Sequence, residues 1–364
     1  MVCKRSSGCY NLIMFSLIKK KMNKKRVRVA VNGAGRIGRA FIKKALERKE
    51  IELVAVNDLG DKENIAYLLK YDTVYGPSEF EVKATGKGIK IDGQEVTFYL
   101  EPDPTKLPWK DLDIDVVVES TGVFTTYEKA RGHIQAGAKR VVISAPAKSD
   151  PKDDTEATIL MGINDDALKT CEVSSNASCT TNGGSPLIQI LKESIGIEKA
   201  LLNTVHGYTA SQTIVDSPSK KDFRRGRAGA QNIIPTSTGA AKATTLAIPD
   251  LSGKFDGIAI RVPIISGSLV DITFVASRDT TVEEVNEALV KASKDKRWDG
   301  IFTVTDEPLV SSDILGSPFA SIADIAMTRV VDGNLVKVMA WYDNEMGYTH
   351  TLVEHVVRTA SHIK

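Results

Sequence analysis

Cysteine is scarce in these 364 residues. The four present, Cys3, Cys9, Cys171 and Cys179, form no C-x-x-C pair and no disulfide-like framework. That usage fits a reducing compartment, so a cytoplasmic protein is expected. No apolar run approaches the roughly 20 residues needed to span a bilayer, which leaves no membrane partner. The histidines and cysteines lack metal-ligand spacing, and His350 and His355 stand five apart, on different faces of a helix; no metal site is expected. Asp and Glu are missing from residues 1–46, which hold Lys4, Arg5, Lys19, Lys20, Lys21, Lys24, Lys25, Arg26 and Arg28 among others. The apolar piece LIMFSLI is short for a signal-peptide core and no A-x-A-like cleavage site follows. A second methionine, Met22, precedes the first strand pattern, so residues 1–21 are expected to be a start-site extension or a disordered tail. Removing their five cations turns the formal charge of +2 into −3. A body of that charge argues against a nucleic-acid footprint, and no nucleic-acid partner is expected.

What is present is ordinary for a globular chain: 42% hydrophobic and 26% charged residues. The length exceeds one compact core, so two domains are expected. From Arg26, β-branched runs alternate with helical spacing: RVRVAV, then NGAGRIGRAFIKKALE, then IELVAVND. VKATGKGIKIDGQEVTFYL reads as a hairpin-like stretch turning at Asp92-Gly93. IDVVVES and KRVVISAP read as strands, separated by a helix with a capping box from Thr125 to Glu128. Such alternation implies a parallel sheet with helices on its faces.

Past Cys179 the texture changes. A helix over SPLIQILKES is followed by long strands, FDGIAIRVPI and SLVDITFVAS, and by a hairpin turning at Asp332-Gly333-Asn334. This predicts an α+β unit with a mostly antiparallel sheet. Residues 208–239 show almost no periodicity, and a loop that long in a compact protein is usually functional. The final segment places Leu352, Val353, Val356 and Val357 on one helical face.

Gly33-Ala34-Gly35-Arg36-Ile37-Gly38 fits G-x-G-x-x-G between a strand and a helix. Glycines there allow a tight turn and close backbone approach, so a pyrophosphate can rest on the helix N-terminus. Asp58 ends the second strand 20 residues after Gly38, where a carboxylate holds ribose hydroxyls and disfavours a 2′-phosphate. The pair of signals points to NAD; the bland alternative is a structural turn and a surface Asp.

Cys179 lies in SSNASCTTNGG, among hydroxyl and amide side chains rather than the apolar packing of a core thiol. It stands at the apparent start of a helix, whose partial positive charge stabilises a thiolate. Of five histidines, His350, His355 and His362 lie on the terminal helix and His133 on a surface-like helix. Only His206 follows a strand and opens the long loop, placed as a base for a nucleophile. The second half also carries hydroxyl–arginine clusters: Thr209, then Arg224, Arg225 and Arg227, then Thr236 to Gly239. Arg261 sits within an apolar strand and needs an anion or a carboxylate if buried. An internal salt bridge for Arg261 and solvated or subunit-contact roles for the loop arginines stay open.

At these residues the chain resembles phosphorylating glyceraldehyde-3-phosphate dehydrogenases. The resemblance runs from about Arg26 to the C-terminus through VNGAGRIGR, VAVNDL, LLKYDTVYG, VVVESTGVF, RVVISAP, SNASCTTN, TVHGYTASQ, NIIPTSTGAAKA, RVP, VSSD and WYDNEMGYT, in order. It implies an α/β Rossmann domain over residues 22–178, completed by a helix at 345–364, and an α+β catalytic domain over 179–344. It implies Cys179 as nucleophile and His206 as base. Arg36, Ile37, Asp58, Thr121, Ser144 and Asn344 would contact NAD, beside Gly33, Gly35 and Gly38. Ser178, Thr180, Thr209, Arg224, Thr238, Gly239 and Arg261 would bind the substrate phosphate and inorganic phosphate. The usual assembly of such enzymes is a homotetramer. The implied reaction converts glyceraldehyde 3-phosphate to 1,3-bisphosphoglycerate through a cysteine thioester, reducing NAD.

Departures are few. Ala34 stands where the family usually has Phe, Gly183 where a second cysteine is common, Ile264 where RVPT is common, and Pro102 where an arginine lies near the adenine. Pro102 puts one cofactor contact at issue. The alternative reading is erythrose-4-phosphate dehydrogenase, whose members typically carry Glu at the cofactor acid, so Asp58 weighs against it. A catalytically silent NAD-responsive scaffold or RNA-binding protein would call for a damaged Cys/His pair or a basic body, and neither is seen.

Overall fold

The computed structural model describes residues 26–219 and 222–363; the expected extension over 1–21, with Cys3 and Cys9, lies outside the described residues. Two sheets organise the chain. The first has nine strands, and its centre is parallel: Val27–Asn32 lies between Ile51–Asn57 and Val116–Glu119, with Arg140–Ile143, Val173–Ser175 and Glu156–Thr158 continuing on one side. Val29, Val31, Val116, Val117, Val118, Val141 and Val142 are fully buried. A parallel strand is covered on both faces, so it reads as a continuous β-branched run rather than an alternation. At the other edge, Gly88–Ile91 and Gln94–Tyr99 form an antiparallel hairpin, and Asp92 and Gly93 both take positive φ in its turn.

The second sheet has eight strands. Its long members, Ile197–Gly207, Ser268–Ala276 and Leu335–Tyr342, pair antiparallel. Only Phe255–Val262 on Ile197–Gly207, and Phe302–Thr305 on Ser321–Asp324, pair parallel. Ser268–Ala276 alternates buried and half-buried residues along its length, the period of a sheet with one packed face. Residues 208–239 contain a short 3₁₀ turn, Phe223–Gly226, and end in a strand, Ile234–Ser237, paired to Phe255–Val262. That strand escapes a periodicity reading because it is four residues long and begins Ile-Pro.

Local details differ from expectation. The capping residue is Thr126, which accepts from the Lys129 amide at 3.3 Å, not Thr125, which is buried. The helix that follows breaks at Arg131 into two short pieces, Tyr127–Ala130 and Gly132–Gln135. His133 is not on a surface: it is fully buried between Trp109 and Glu119. The helix after the thiol starts at Cys179 itself and runs to Ser194 through Gly183, Gly184 and Pro186. Residues 180–188 are buried throughout, and tertiary packing outweighs the poor helix propensity of glycine and proline.

The terminal helix, Met346–Ser361, returns to the first sheet, where Tyr348, Leu352, Val353 and Val356 share a core with Phe41, Ile42, Val116 and Val142. The second sheet has its own core around Leu187, Leu202, Phe274 and Tyr342. Cys179 packs against both cores. Among the described residues no helix is long and apolar enough to cross a membrane.

Candidate active site

Cys179, the expected nucleophile, is set by a turn. Val173–Ser175 ends at Asn176, Ala177 adopts φ +55°, and Ser178 caps the next helix, its Oγ accepting from the Thr181 amide at 3.1 Å. Cys179 is thus the first residue of a 16-residue helix. His206 comes from the second sheet, at the end of Ile197–Gly207. Its register neighbour on the adjacent parallel strand is Arg261, so sheet pairing alone sets a cation beside the imidazole. The Cys179 Sγ to His206 Nε2 distance is 3.4 Å, the separation of a nucleophile and its base.

His206 Nδ1 lies 2.6 Å from the Gly207 carbonyl oxygen. Assigning the proton to Nδ1, which donates there, leaves the Nε2 lone pair facing Sγ. Arg261 Nη1 donates to the Gly207 oxygen at 3.0 Å; its 2.5 Å contact with His206 Nδ1 is a hydrogen bond only in the other tautomer, with the proton on Nε2, so a basic Nε2 requires the guanidinium to rest on the Gly207 oxygen instead. Burial, with Arg261 adding to it, pushes the imidazole down to about 3. Burial also raises the thiol, opposed first by the Arg261 charge and then by the Thr180 amide at the helix start. Both shifts favour the neutral thiol–imidazole pair, and Arg261 is the charge that assists the thiolate. Arg261 Nε is buried without a hydrogen-bond partner, a donor that an anion would satisfy.

Tyr342 closes the floor. Its hydroxyl bonds Thr180 Oγ1 at 2.9 Å and Thr204 Oγ1 at 2.7 Å, and its ring meets His206 edge-on. Gly183 matters here: a Cβ would come within 3.1 Å of the Tyr342 ring. Neither Tyr342 nor Thr204 was singled out by sequence reading; a tyrosine ending a strand carries no signal of its own.

The expected anion binders fall into two groups. Ser178, Thr180 and Arg261 surround the Cys–His pair. Thr209 is half-buried and bonded to Ser211 Oγ at 2.8 Å. Thr238 Oγ1 accepts from the Ala240 amide, and Gly239 precedes the helix Ala240–Ala247 with open space where a Cβ would stand. Arg224 is exposed; its neighbour Arg225 instead reaches Thr236 Oγ1 at 2.8 Å and the Ser237 carbonyl at 3.1 Å.

On the cofactor side, a crevice at the strand ends is lined by Gly33, Gly35, Asn57, Asp58, Pro102 and Thr121, among others. Gly33 has φ +99°, and a Cβ on it would stand 2.6 Å from the Thr121 amide nitrogen. A Cβ on Gly38 would stand 1.9 Å from the Gly33 oxygen, whereas one on Gly35 would meet nothing within 4 Å. Two glycines therefore serve packing, and the third opens a cradle at the helix start. Asp58 accepts from the Ala34 amide at 2.6 Å and the Gly60 amide at 2.7 Å, which aims the carboxylate at the crevice. The side chain of Arg36 turns away, to Glu345 and Asp72, leaving only its backbone amide at the cradle. Ile37 packs into the core. Ser144 bonds the Tyr348 hydroxyl at 3.2 Å. Asn344 Oδ1 accepts from Gly267 N at 3.0 Å and Ser268 Oγ at 2.9 Å, which orients its amide nitrogen away from those groups. The open cradle and the acid beside it fit a dinucleotide.

A parallel sheet with a glycine-lined crevice, beside a thiol–imidazole pair, defines an NAD-dependent oxidoreductase. Residues 27–127 match the glyceraldehyde 3-phosphate dehydrogenase NAD binding domain, and residues 178–344 match the C-terminal domain of the same enzymes. A glyceraldehyde-3-phosphate dehydrogenase of Thermotoga maritima is 50% identical over 330 residues, covering 90% of this chain and 97% of the relative. The Geobacillus stearothermophilus enzyme is 48% identical over 337 residues, 92% and 98% respectively. Glyceraldehyde-3-phosphate dehydrogenase 2 of Streptomyces avermitilis is 48% identical over 334 residues, 91% and 98%. The chain belongs to the glyceraldehyde 3-phosphate dehydrogenase family.

Proposed function

We propose that this chain oxidises glyceraldehyde 3-phosphate to 1,3-bisphosphoglycerate with inorganic phosphate and NAD. The observation that carries the reading is the 3.4 Å contact between Cys179 Sγ and His206 Nε2 beside a half-buried arginine, Arg261, whose buried Nε has no hydrogen-bond partner. As Sγ attacks the aldehyde carbon, Nε2 takes the thiol proton and returns it to the carbonyl oxygen, giving a hemithioacetal. Nε2 accepts that hydroxyl proton again as the carbon is oxidised to a thioester. Bound NAD supplies the hydride acceptor, held by the backbone at Gly33, Gly35 and Arg36 and by Asp58. A phosphate oxygen then attacks the thioester carbon, the C–S bond breaks, and thiolate leaves. Covalent capture divides a hard oxidation into two easier steps and conserves its energy in the thioester. Arg261, Ser178, Thr180, Thr209, Thr238 and Gly239 form the two anion sites, and Arg225 is a better-placed guanidinium than Arg224 for ordering Thr236 and Ser237.

Residues 22–178 with 345–364 form the cofactor domain in this reading, and 179–344 the catalytic domain. Homotetramer assembly is supported by the loop over 208–239, which holds Ile214, Val215, Phe223 and Ile233 at 69–89% exposure. Apolar side chains at that exposure on a long loop call for a covering surface. The cytoplasm is the compartment that fits its cysteine usage. Phosphate-dependent NAD reduction is the test: Cys179→Ser should lower it by on the order of 10³-fold or more. Near-wild-type activity in that variant, or activity with aldehyde that ignores phosphate, would end the proposal. Light scattering of the purified enzyme should return a mass of four chains.

A further inference from the structure

Ala177, two residues before the nucleophile, takes the left-handed conformation at φ +55° without being glycine. For a residue with a Cβ that costs roughly 1–2 kcal/mol and persists only where the surroundings over-determine it. The Ser175 hydroxyl accepts from the Ala177 amide at 3.1 Å, and the remaining surroundings come chiefly from one stripe of the terminal helix. Tyr348 Oη donates to the Ala177 carbonyl at 3.3 Å, Asn176 Nδ2 donates to Thr351 Oγ1 at 3.3 Å, and His355 Nδ1 meets Asn176 Oδ1 at 3.0 Å. On its other side His355 Nε2 meets Ser174 Oγ at 2.8 Å. These bonds agree on one arrangement. The neutral ring donates from Nδ1 to Asn176 and accepts at Nε2 from the Ser174 hydroxyl, so His355 spans the strand end and the turn like a bracket. His355 and Asn176 are both fully buried, so neither bond has water as a substitute. Asn176 is fixed in turn to the nucleophile helix, because its carbonyl accepts from Asn182 Nδ2 at 2.8 Å.

We propose that His355 is a positioning residue for Cys179: through Asn176 it holds the strained Ala177 turn, and with it the start of the nucleophile helix, at the distance His206 requires. His355 touches neither substrate nor cofactor, and its effect is on the placement of Sγ. The proposal rests on Cys179 being the nucleophile, and its test is built to separate the two. In the full-length enzyme, the rate of Cys179 alkylation by iodoacetamide is measured with kcat, the KM values and NAD affinity. His355→Leu, which keeps the volume but leaves Asn176 Oδ1 without a donor, should slow alkylation and lower kcat about tenfold at unchanged NAD affinity. His355→Asn, whose amide nitrogen reaches the same oxygen, should restore both to within about threefold.

If His355→Leu does not fold, Thr351→Val, which removes the partner of Asn176 Nδ2 at nearly constant volume, is read the same way. Unchanged alkylation and kcat in a folded His355→Leu enzyme would overturn the proposal. So would equal losses in the Leu and Asn variants accompanied by weakened NAD binding, the mark of a merely structural role. Persisting activity in Cys179→Ser would remove the nucleophile reading instead, and alkylation would then still report the geometry.

Discussion

Two strand-to-helix turns leave the same parallel sheet and do opposite things with a positive φ. At the cofactor turn the left-handed residue is Gly33, and the contacts are so close that a Cβ there or at Gly38 would enter backbone atoms. At the nucleophile turn the left-handed residue is Ala177: the nearby Ser175 hydroxyl accepts from its amide and Tyr348 of the last helix donates to its carbonyl, while Asn182, Thr351 and His355 hold the adjoining Asn176. The first geometry is written locally, in residues that lack a side chain. The second is imposed from outside on a residue that resists it. A cofactor cradle needs room for backbone to approach a ligand, while a nucleophile needs one fixed position and gains from being gripped.

Three substitutions or conditions break the comparison, in falling order of effect. Gly38→Ala should be the most damaging, because its Cβ would stand 1.9 Å from the Gly33 oxygen and the backbone there cannot yield cheaply. Overpacking of that kind costs about 1–3 kcal/mol or more. Calorimetry should show a lower Tm and titration at least tenfold weaker NAD binding; intact binding would refute the packing account of this glycine.

Acid comes second. Burial pushes both His206 and His355 down to about 3, helped by Arg261 and Arg358 respectively. Both rings are neutral in the fold, while the unfolded chain protonates them near 6.5. The unfolded state therefore binds more protons between those values, so this share of stability is present above about pH 6.5 and lost as pH falls toward 3. Urea midpoints should be lower at pH 5 than at pH 7.5, and the drop should be smaller in His355→Asn. A drop of the same size in that variant would mean the nucleophile turn does not carry a buried neutral histidine.

The smallest effect is Ala177→Gly. Relief of the left-handed strain, roughly 1 kcal/mol or more, is offset by the greater entropy of glycine in the unfolded chain, about 0.5–1 kcal/mol. Tm should move by only a degree or two, against the large loss at Gly38. A loss of more than about 2 kcal/mol would show that the Ala177 methyl packs as core and that both turns are fixed by close local packing.

Much of the site was legible in the chain. The G-x-G-x-x-G run, Asp58 20 residues on, and Cys179 in a polar setting before a helix each carry a local chemical reason. His206 was reachable as the histidine that ends a strand. His133 was misjudged as lying on a surface, because burial of a histidine depends on what covers it, here Trp109 and Glu119; the place of His355 on the last helix was legible, but its partners Ser174 and Asn176 were not. The three arginines of the loop, Arg224, Arg225 and Arg227, could not be ranked either, since only pairing of Ile234–Ser237 with Phe255–Val262 brings Thr236 under Arg225.

The amino-acid order by itself determined the periods of the strands and helices, the glycines of the cofactor turn and the kinds of chemistry each cluster could perform, because those depend on residues close together in the chain. Tertiary structure alone decided which groups meet. Parallel register set Arg261 beside His206, two cores closed on Cys179, and the last helix came back across 170 to 180 residues of sequence to grip the turn that carries the thiol. Contacts at that separation follow from the packing of whole sheets, which no short stretch of sequence contains.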